Sequence, residues 1–431
     1  MHIVDTALAA RAEAGRPLRF GMIGAGYMGR GIANQVLNYM PGMQLSAICN
    51  RSLPAAIAAY TDHGVPRDRI VVVETADRLE DALRNGCFAV TTDPAVLCDA
   101  PSLEGLVEAT GHVEHGAHVT MQAILRGKHM VLMNAELDAT VGPLLRHKAD
   151  AAGVILSGCD GDQPGVQLNL VRFVQSIGLV PRVCGNIKGL QDRYRTPETQ
   201  AAYARQWGQT AHMVTSFADG TKISFEQAIV ANATGMQVAQ RGMIGIEHRG
   251  HVDDMTGLYD LDQLRALGGI VDYVVGGLPS PGVYVFAEAQ DKVQAHYLNY
   301  GKLGTGPLYS FYIPYHLMVF EVPLSVARVV LLGDRVIAPK GGPVVDVVAV
   351  AKCDLSEGTV LDGIGGFHTY GVCENYRVSR AENLLPMGIT ASARLKRSVH
   401  KDQVLTYADV ELPSGSLACS LRAEQDGMFH P

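Results

Sequence analysis

The sequence contains no CxxC pair. Its eight cysteines, Cys49, Cys87, Cys98, Cys159, Cys184, Cys353, Cys373 and Cys419, stand apart and lack the Cys/His spacing of a zinc site. They read as reduced thiols, so a reducing, cytoplasmic compartment is expected and no metal-ligand set is assigned. Runs of like charge are also missing: 43 acids against 36 bases give a net charge of −7 spread along the chain. Neither nucleic acid nor an anionic membrane is therefore an expected partner. No stretch approaches the ~18 uninterrupted apolar residues of a membrane span. The amino terminus lacks the apolar core of a secretory leader, and Val4 to Ala14 reads instead as a short amphipathic helix. What remains as a partner is a small-molecule substrate.

Apolar side chains are plentiful, at 47% hydrophobic residues against 18% charged, which suits well-packed cores. At roughly 100–200 residues per domain, 431 residues suggest more than one domain, and three are expected. Residues 1–158 alternate apolar runs with helical patterns in the rhythm of a doubly wound α/β parallel sheet. Strands are expected at Leu18–Ile23, Gln44–Cys49, Gly86–Thr91, Gly105–Ala109, His129–Met133 and Gly153–Ser157. Helices fall between them at Met28–Asn38, Leu53–His63, Asp77–Asn85, Glu114–Arg126 and Gly142–Ala152. Residues 159–340 change grammar. Alternating stretches such as His212–Asp219 and Gly282–Ala289 predict a mixed or antiparallel sheet. Pro323–Leu332 reads as a helix opened by proline and returning to the first domain. Residues 341–431 hold a weak repeat, in which Ala351–Leu361 can be laid over Leu395–Leu405. Both frames have a lysine, an apolar residue three positions on and a closing Val-Leu pair, which suggests a small β-rich module with two similar corners.

Gly24-Ala25-Gly26-Tyr27-Met28-Gly29 lies between an expected strand and an expected helix, with a further βα unit after it, and this context makes GxGxxG informative. Gly24 allows the tight turn, Gly26 lets backbone approach a pyrophosphate, and Gly29 lets helix and strand pack. The helix amino terminus, at Tyr27 and Met28, offers N–H groups to the anion. The second strand ends in Cys49-Asn50-Arg51-Ser52, where an acidic residue would select NAD(H). Arg51 flanked by Asn50 and Ser52 suits a 2′-phosphate and favours NADP(H), the alternative being a solvated surface arginine. Thr110 and Gly111, closing Glu108-Ala109-Thr110-Gly111, and Asn134 and Glu136, opening the next loop, are further cofactor candidates. Capping is the competing role for Thr110 and Glu136, and it is the preferred role for Asp138 and Thr140.

Gly21–Gly29, Glu108–Gly111, Asn134–Leu137, Asn232-Ala233-Thr234-Gly235, Pro314-Tyr315-His316-Leu317 and Glu321-Val322-Pro323 together resemble the SAF-domain oxidoreductases of the homoserine-dehydrogenase-like superfamily. Within that group the similarity is to the DXR-like enzymes, reductoisomerases of 1-deoxy-D-xylulose 5-phosphate. The resemblance covers nearly the whole chain. It implies a Rossmann domain, an α+β domain for substrate and oligomerisation, a SAF-like tail, a homodimer or homotetramer, and a place in isoprenoid biosynthesis. It also implies a catalytic lysine in Cys184–Gly189, which is Lys188; the competing role is a surface lysine in a glycine loop. Two departures matter. Ile313 stands where the reductoisomerase-like relatives carry arginine, which points away from a substrate phosphate. Glu136 stands where homoserine-type enzymes carry lysine.

Hydride transfer at a carbinol needs a group that exchanges the hydroxyl proton and a group that stabilises an oxyanion, and Lys188 suits either role. Asp160 and Asp162, two apart among glycines, are costly to bury without partners, so one of them is expected to face substrate or to position Lys188. A solvated loop with an N-cap at Asp162 or Gln163 is the alternative. His316 and Glu226 complete the catalytic candidates, with Asn232 beside them. His316 suits a structural role equally, Glu226 suits a domain interface, and the segment Ser224–Thr234 fits a strand or a helix. The resulting expectation is an NADP(H)-preferring oxidoreductase of a small polyhydroxylated or branched carbonyl compound, with coupled isomerisation and a divalent ion left open. A homoserine-type dehydrogenase and a dinucleotide-holding sugar sensor are the alternatives.

Overall fold

Seven parallel strands, in the order β3-β4-β2-β1-β5-β6-β7, build the sheet that the GxGxxG turn interrupts. The computed structural model describes residues 4–430. The strands are β1 (Leu18–Ile23), β2 (Met43–Cys49), β3 (Ile70–Val72), β4 (Phe88–Thr91), β5 (Gly105–Glu108), β6 (Met130–Leu132) and β7 (Leu156–Gly158). The chain winds one way from β1 to β2 and the other way from β5 outward, so the switch point lies between β1 and β5. This is the expected doubly wound α/β sheet. The strand β3 and the helix Pro94–Asp99 have no counterpart in the sequence reading. β3 is three residues long with Val71 and Val72 exposed, too short and too wet to leave a periodic signal.

Two compact units result. The first contains residues 1–138, 144–162 and 317–338, and the second contains 139–143, 163–316 and 339–431. The helix at the carboxyl end of the first unit runs Met318–Leu332, five residues earlier than Pro323, which sits inside it. Its first turn is closed by Leu317 O, which accepts from Phe320 N and Glu321 N. Gly31 gives it room: a Cβ there would meet the Val319 side chain at 2.8 Å. The Ala135–Ala151 helix likewise begins seven residues before the expected Gly142, because Pro143 lies inside it rather than near its start. Asp138 and Thr140 are thus helical residues, and the cap is Asn134, whose side chain accepts from Leu137 N at 3.1 Å.

The second unit holds a mixed sheet in the order β12-β11-β8-β10-β9. Its strands are β8 (Val180–Lys188), β9 (Ile246–Glu247), β10 (Ile270–Val275), β11 (Gly282–Glu288) and β12 (Leu308–Ile313). Val183 and Ile187 of β8 join a buried cluster with Tyr259, Tyr284 and Phe286. The alternation of a strand then turns Cys184, Asn186 and Lys188 to the other face. Gly185 makes room for the Tyr284 ring, which a Cβ would strike. His212–Asp219, expected as strand, is the helix Ala211–Ala218, capped by the Thr210 side chain accepting from Met213 N. Ser224–Thr234 belongs to the helix Thr221–Thr234, buried on nearly every side. It packs between β10 and a hairpin of β13 (Val345–Ala351) and β14 (Thr369–Asn375), so it has no polar face to show a period.

The repeat in the tail is a pseudo-twofold pairing of the two frames with each other. Leu355 and Val399, the apolar residues three beyond Lys352 and Lys396, exchange both backbone hydrogen bonds at 2.9 Å. Gly358 N donates to Leu395 O and, at the matching positions of the other frame, Asp402 N donates to Ala351 O. Leu395 N to Thr359 O is mirrored by Ala351 N to Gln403 O. Gly358 and Asp402 both take the left-handed conformation at the corner.

Candidate active site

At the switch point the three glycines differ in what surrounds them. Gly24 has φ +110°, and a Cβ there would meet Ala109 O at 2.8 Å, so the turn is pressed against the end of β5. A Cβ on Gly29 would strike Gly24 O, so the helix Tyr27–Tyr39 packs onto the turn. A Cβ on Gly26 would meet nothing within 4 Å. The open side of the loop is therefore at Gly26, the helix N-cap, with Tyr27 exposed and Met28 half-buried beside it. That arrangement fits a dinucleotide pyrophosphate. Ala25 N donates to Asn50 Oδ1 at 3.1 Å and Asn50 Nδ2 donates to Ser52 O at 3.0 Å, tying the turn to the end of β2. Ser52 caps the next helix through Ala55 N. Of the three residues after Cys49, two thus hold the loop in shape and Arg51 is exposed. Its charge reaches His115, which also feels His112 and His118, and burial with these neighbours holds the His115 imidazole below its usual range.

Glu108, at the end of β5, is fully buried, and burial pushes its carboxyl above the usual range. Thr110 donates to it from both its backbone N, at 2.9 Å, and its hydroxyl. Gly111 follows at φ +70°. Asn134 Nδ2 donates to His112 O at 3.2 Å, and Glu136 is buried in the next helical turn. Thr110 and Asn134 therefore brace the ends of β5 and β6. Asp160 is fully buried and paired with Arg328 at 2.8 Å, and its backbone N donates to Ser325 Oγ at 2.7 Å. Arg328 also holds Asp334 at 2.6 Å. The geometry makes Asp160 a clamp on the Met318–Leu332 helix within the first unit. Asp162 is also buried there, just before the helix Gln163–Ser176.

Within the second unit three sequence candidates converge. Asn186 of β8 donates from Nδ2 to Glu226 Oε2 at 3.0 Å and to Gln163 Oε1, and its Oδ1 accepts from Gln167 Nε2 at 2.6 Å. Gln163 Nε2 lies 3.2 Å from His316 Nε2. Because Gln163 Oε1 already accepts, its Nε2 is the donor, which leaves the neutral His316 ring protonated on Nδ1. Two positions along β8, Lys188 Nζ donates to Phe217 O at 2.7 Å. Burial pulls the Lys188 ammonium below the usual lysine range, while the carboxylates of Glu226 and Asp219 oppose that shift. A lysine so placed can exchange a proton with a reacting oxygen and can polarise a carbonyl. Asn232 plays a different part: its Oδ1 accepts from Val344 N at 2.7 Å and Val345 N at 3.1 Å, anchoring the start of β13.

The sequence reading did not single out Asn186, Gln167, Asp219 or Lys352. The alternation of β8 from Lys188 and the i, i+4 spacing of Gln163 and Gln167 were the available signals. Nothing local marks Asp219 or Lys352. Among the described residues no group of three His, Cys, Asp or Glu side chains is arranged to hold a metal ion, and no helix is long and apolar enough to cross a membrane.

Residues 161–322 match the protein family described as oxidoreductase DRL, catalytic domain. No curated protein matches the chain. Similar solved structures include a probable dehydrogenase from Thermotoga maritima, at 13% identity over 75% of this chain and 91% of that one, with a TM-score of 0.39. An aldose-aldose oxidoreductase from Caulobacter crescentus complexed with glycerol is 13% identical over 75% and 92%, with a TM-score of 0.41. A mutant of a 3-ketoreductase from Actinomadura kijaniata, in complex with TDP-benzene and NADP, is 15% identical over 74% and 91%, with a TM-score of 0.36. With a Rossmann sheet that fits a dinucleotide and a segment similar to an oxidoreductase catalytic domain, the chain is an NAD(P)-dependent oxidoreductase.

Proposed function

We propose that the protein reduces or oxidises a small polyhydroxylated, sugar-like carbonyl compound with NADP(H), and that Lys188 exchanges the proton of the reacting oxygen. The observation that carries this reading is the placement of Lys188 at the end of β8, drawn down by burial yet flanked by Glu226 and Asp219. A bound nicotinamide supplies or accepts the hydride. Lys188 gives its proton to the carbonyl oxygen as it becomes an alcohol, and takes it back in the reverse direction. Asn186 holds the Glu226 carboxylate, and the Gln163 amide fixes the His316 tautomer. This polar side-chain row suits hydroxyl groups that both donate and accept. NADP(H) is favoured because Asn50 and Ser52 are engaged in the loop while Arg51 is exposed.

Coupled isomerisation, as in the DXR-like enzymes with their SAF tail, is the finer form of this proposal. The test is cofactor oxidation with NADPH across unphosphorylated ketoses, hydroxy aldehydes and 1-deoxy-D-xylulose 5-phosphate, with product skeletons read by NMR. Turnover of an unphosphorylated ketose that is lost in Lys188→Met by roughly 10²–10⁴-fold is expected. Turnover that survives in Lys188→Met would overturn the role of Lys188, and a product with a rearranged skeleton would establish the reductoisomerase.

A further inference from the structure

We propose that Lys352, carried by the tail, is a positioning residue for Lys188: by holding the Asp219 carboxylate in a buried ion pair, it keeps Asp219 from capturing the Lys188 ammonium. This rests on the reading of Lys188 as the proton-exchanging group. Lys352 Nζ lies 2.7 Å from Asp219 Oδ2 in an ion pair and donates to Arg195 O at 2.8 Å and Gly366 O at 2.7 Å. Both side chains are almost fully enclosed. Phe217, whose carbonyl receives Lys188, lies in the last turn of the Ala211–Ala218 helix and Asp219 is the C-cap of that helix, so one short segment meets both ammonium groups. Arg195, held by Lys352, lies on the segment that leaves β8 after Lys188.

The pseudo-twofold of the tail shows that this lysine is singled out. Its counterpart in the other frame, Lys396, is exposed, whereas Lys352 is 5% exposed. A repeat that needed lysine only for its corners would treat the two alike. The charged groups facing Lys188 are Glu226 from the Thr221–Thr234 helix and Asp219 from the loop before it, and Lys352 faces Asp219 from the end of β13. With Lys352 in place the Asp219 charge is largely neutralised, and Lys188 stays poised rather than locked in a second ion pair.

The test follows the charge of Lys188 directly. The full-length protein is acetylated with acetic anhydride across a pH series, with Lys188 modification read by mass spectrometry and the pH profile of kcat/KM measured in parallel. Asp219→Asn should lower the Lys188 midpoint and Lys352→Met should raise it, each by roughly half a pH unit or more. The double variant should return close to the parent, and Lys396→Met should leave the midpoint unchanged. Shifts in one shared direction, or none, overturn the proposal and leave Lys352 a structural residue. Should Lys352→Met fail to fold, an unmoved midpoint in Asp219→Asn is sufficient to overturn it. Labelling midpoints that move as expected while the kcat/KM profile stays still uphold the pairing and refute Lys188 as the proton-exchanging group.

Discussion

Asp160 and Arg328 form a buried ion pair at 2.8 Å, with 0% and 9% of their side chains exposed, and it joins the segment after β7 to the Met318–Leu332 helix. A buried carboxylate beside a guanidinium with further partners is a structural clamp whose loss leaves a charge unpaired. Asp160→Asn is therefore expected to lower unfolding stability by about 3–5 kcal/mol, the range for breaking a buried pair. The kcat of the folded protein should stay near the parent value. Denaturant titration with parallel kinetics checks this, and a large fall in kcat at unchanged stability would return Asp160 to the chemistry.

Gly26 and Gly29 should separate binding from folding. A side chain at Gly26 enters open space at the helix N-terminus, whereas one at Gly29 strikes backbone. Gly26→Val should keep its Tm but weaken NADPH binding by roughly tenfold or more, the scale of losing charge-assisted hydrogen bonds. Gly29→Val should lose both. Calorimetric titration and thermal melts of the two variants distinguish these outcomes.

On the proposed reading, Arg51 carries the choice between cofactors. Its removal in Arg51→Ala should raise the Kd for NADPH by roughly ten- to a hundredfold, at about 1.5–3 kcal/mol for a hydrogen bond to a charged group. The Kd for NADH should barely move. Equal losses for both cofactors would show that Arg51 does not read the 2′-phosphate.

Asp138 is buried inside the Ala135–Ala151 helix, and burial raises its carboxyl from 3.8 to about 7. The folded state then holds a proton that the unfolded chain releases near pH 4. This contribution is complete below the unfolded value, declines as pH rises, and is lost once pH passes the folded value. Asp138→Asn removes the dependence, so its stability advantage over the parent should grow between about pH 4 and 7, reaching on the order of 4 kcal/mol, and stay level above. Melts at pH 5 and pH 8 that show the same advantage would contradict the assignment.

The sequence by itself determined the Rossmann turn, most strands of its sheet and the loop after β2, because each is a local pattern of glycine, strand and helix start. It also revealed the tail repeat, since two similar corners leave two similar sequences. Three things were beyond local reading. The Thr221–Thr234 helix lies between two layers and has no polar face, so no period marks it. Pro143 and Pro323 sit inside helices that sequence rules would end or begin at them.

Only the tertiary structure decided the surroundings of the charged residues. Asp160 and Lys188 look equally available in sequence, yet one meets Arg328 and the other meets a carbonyl beside two carboxylates. Lys352 and Lys396 are equivalent in the repeat, yet only Lys352 is buried against Asp219, 133 residues away in the chain. Burial and the identity of the nearest charge set what an ionisable group can do, and both depend on residues distant in sequence.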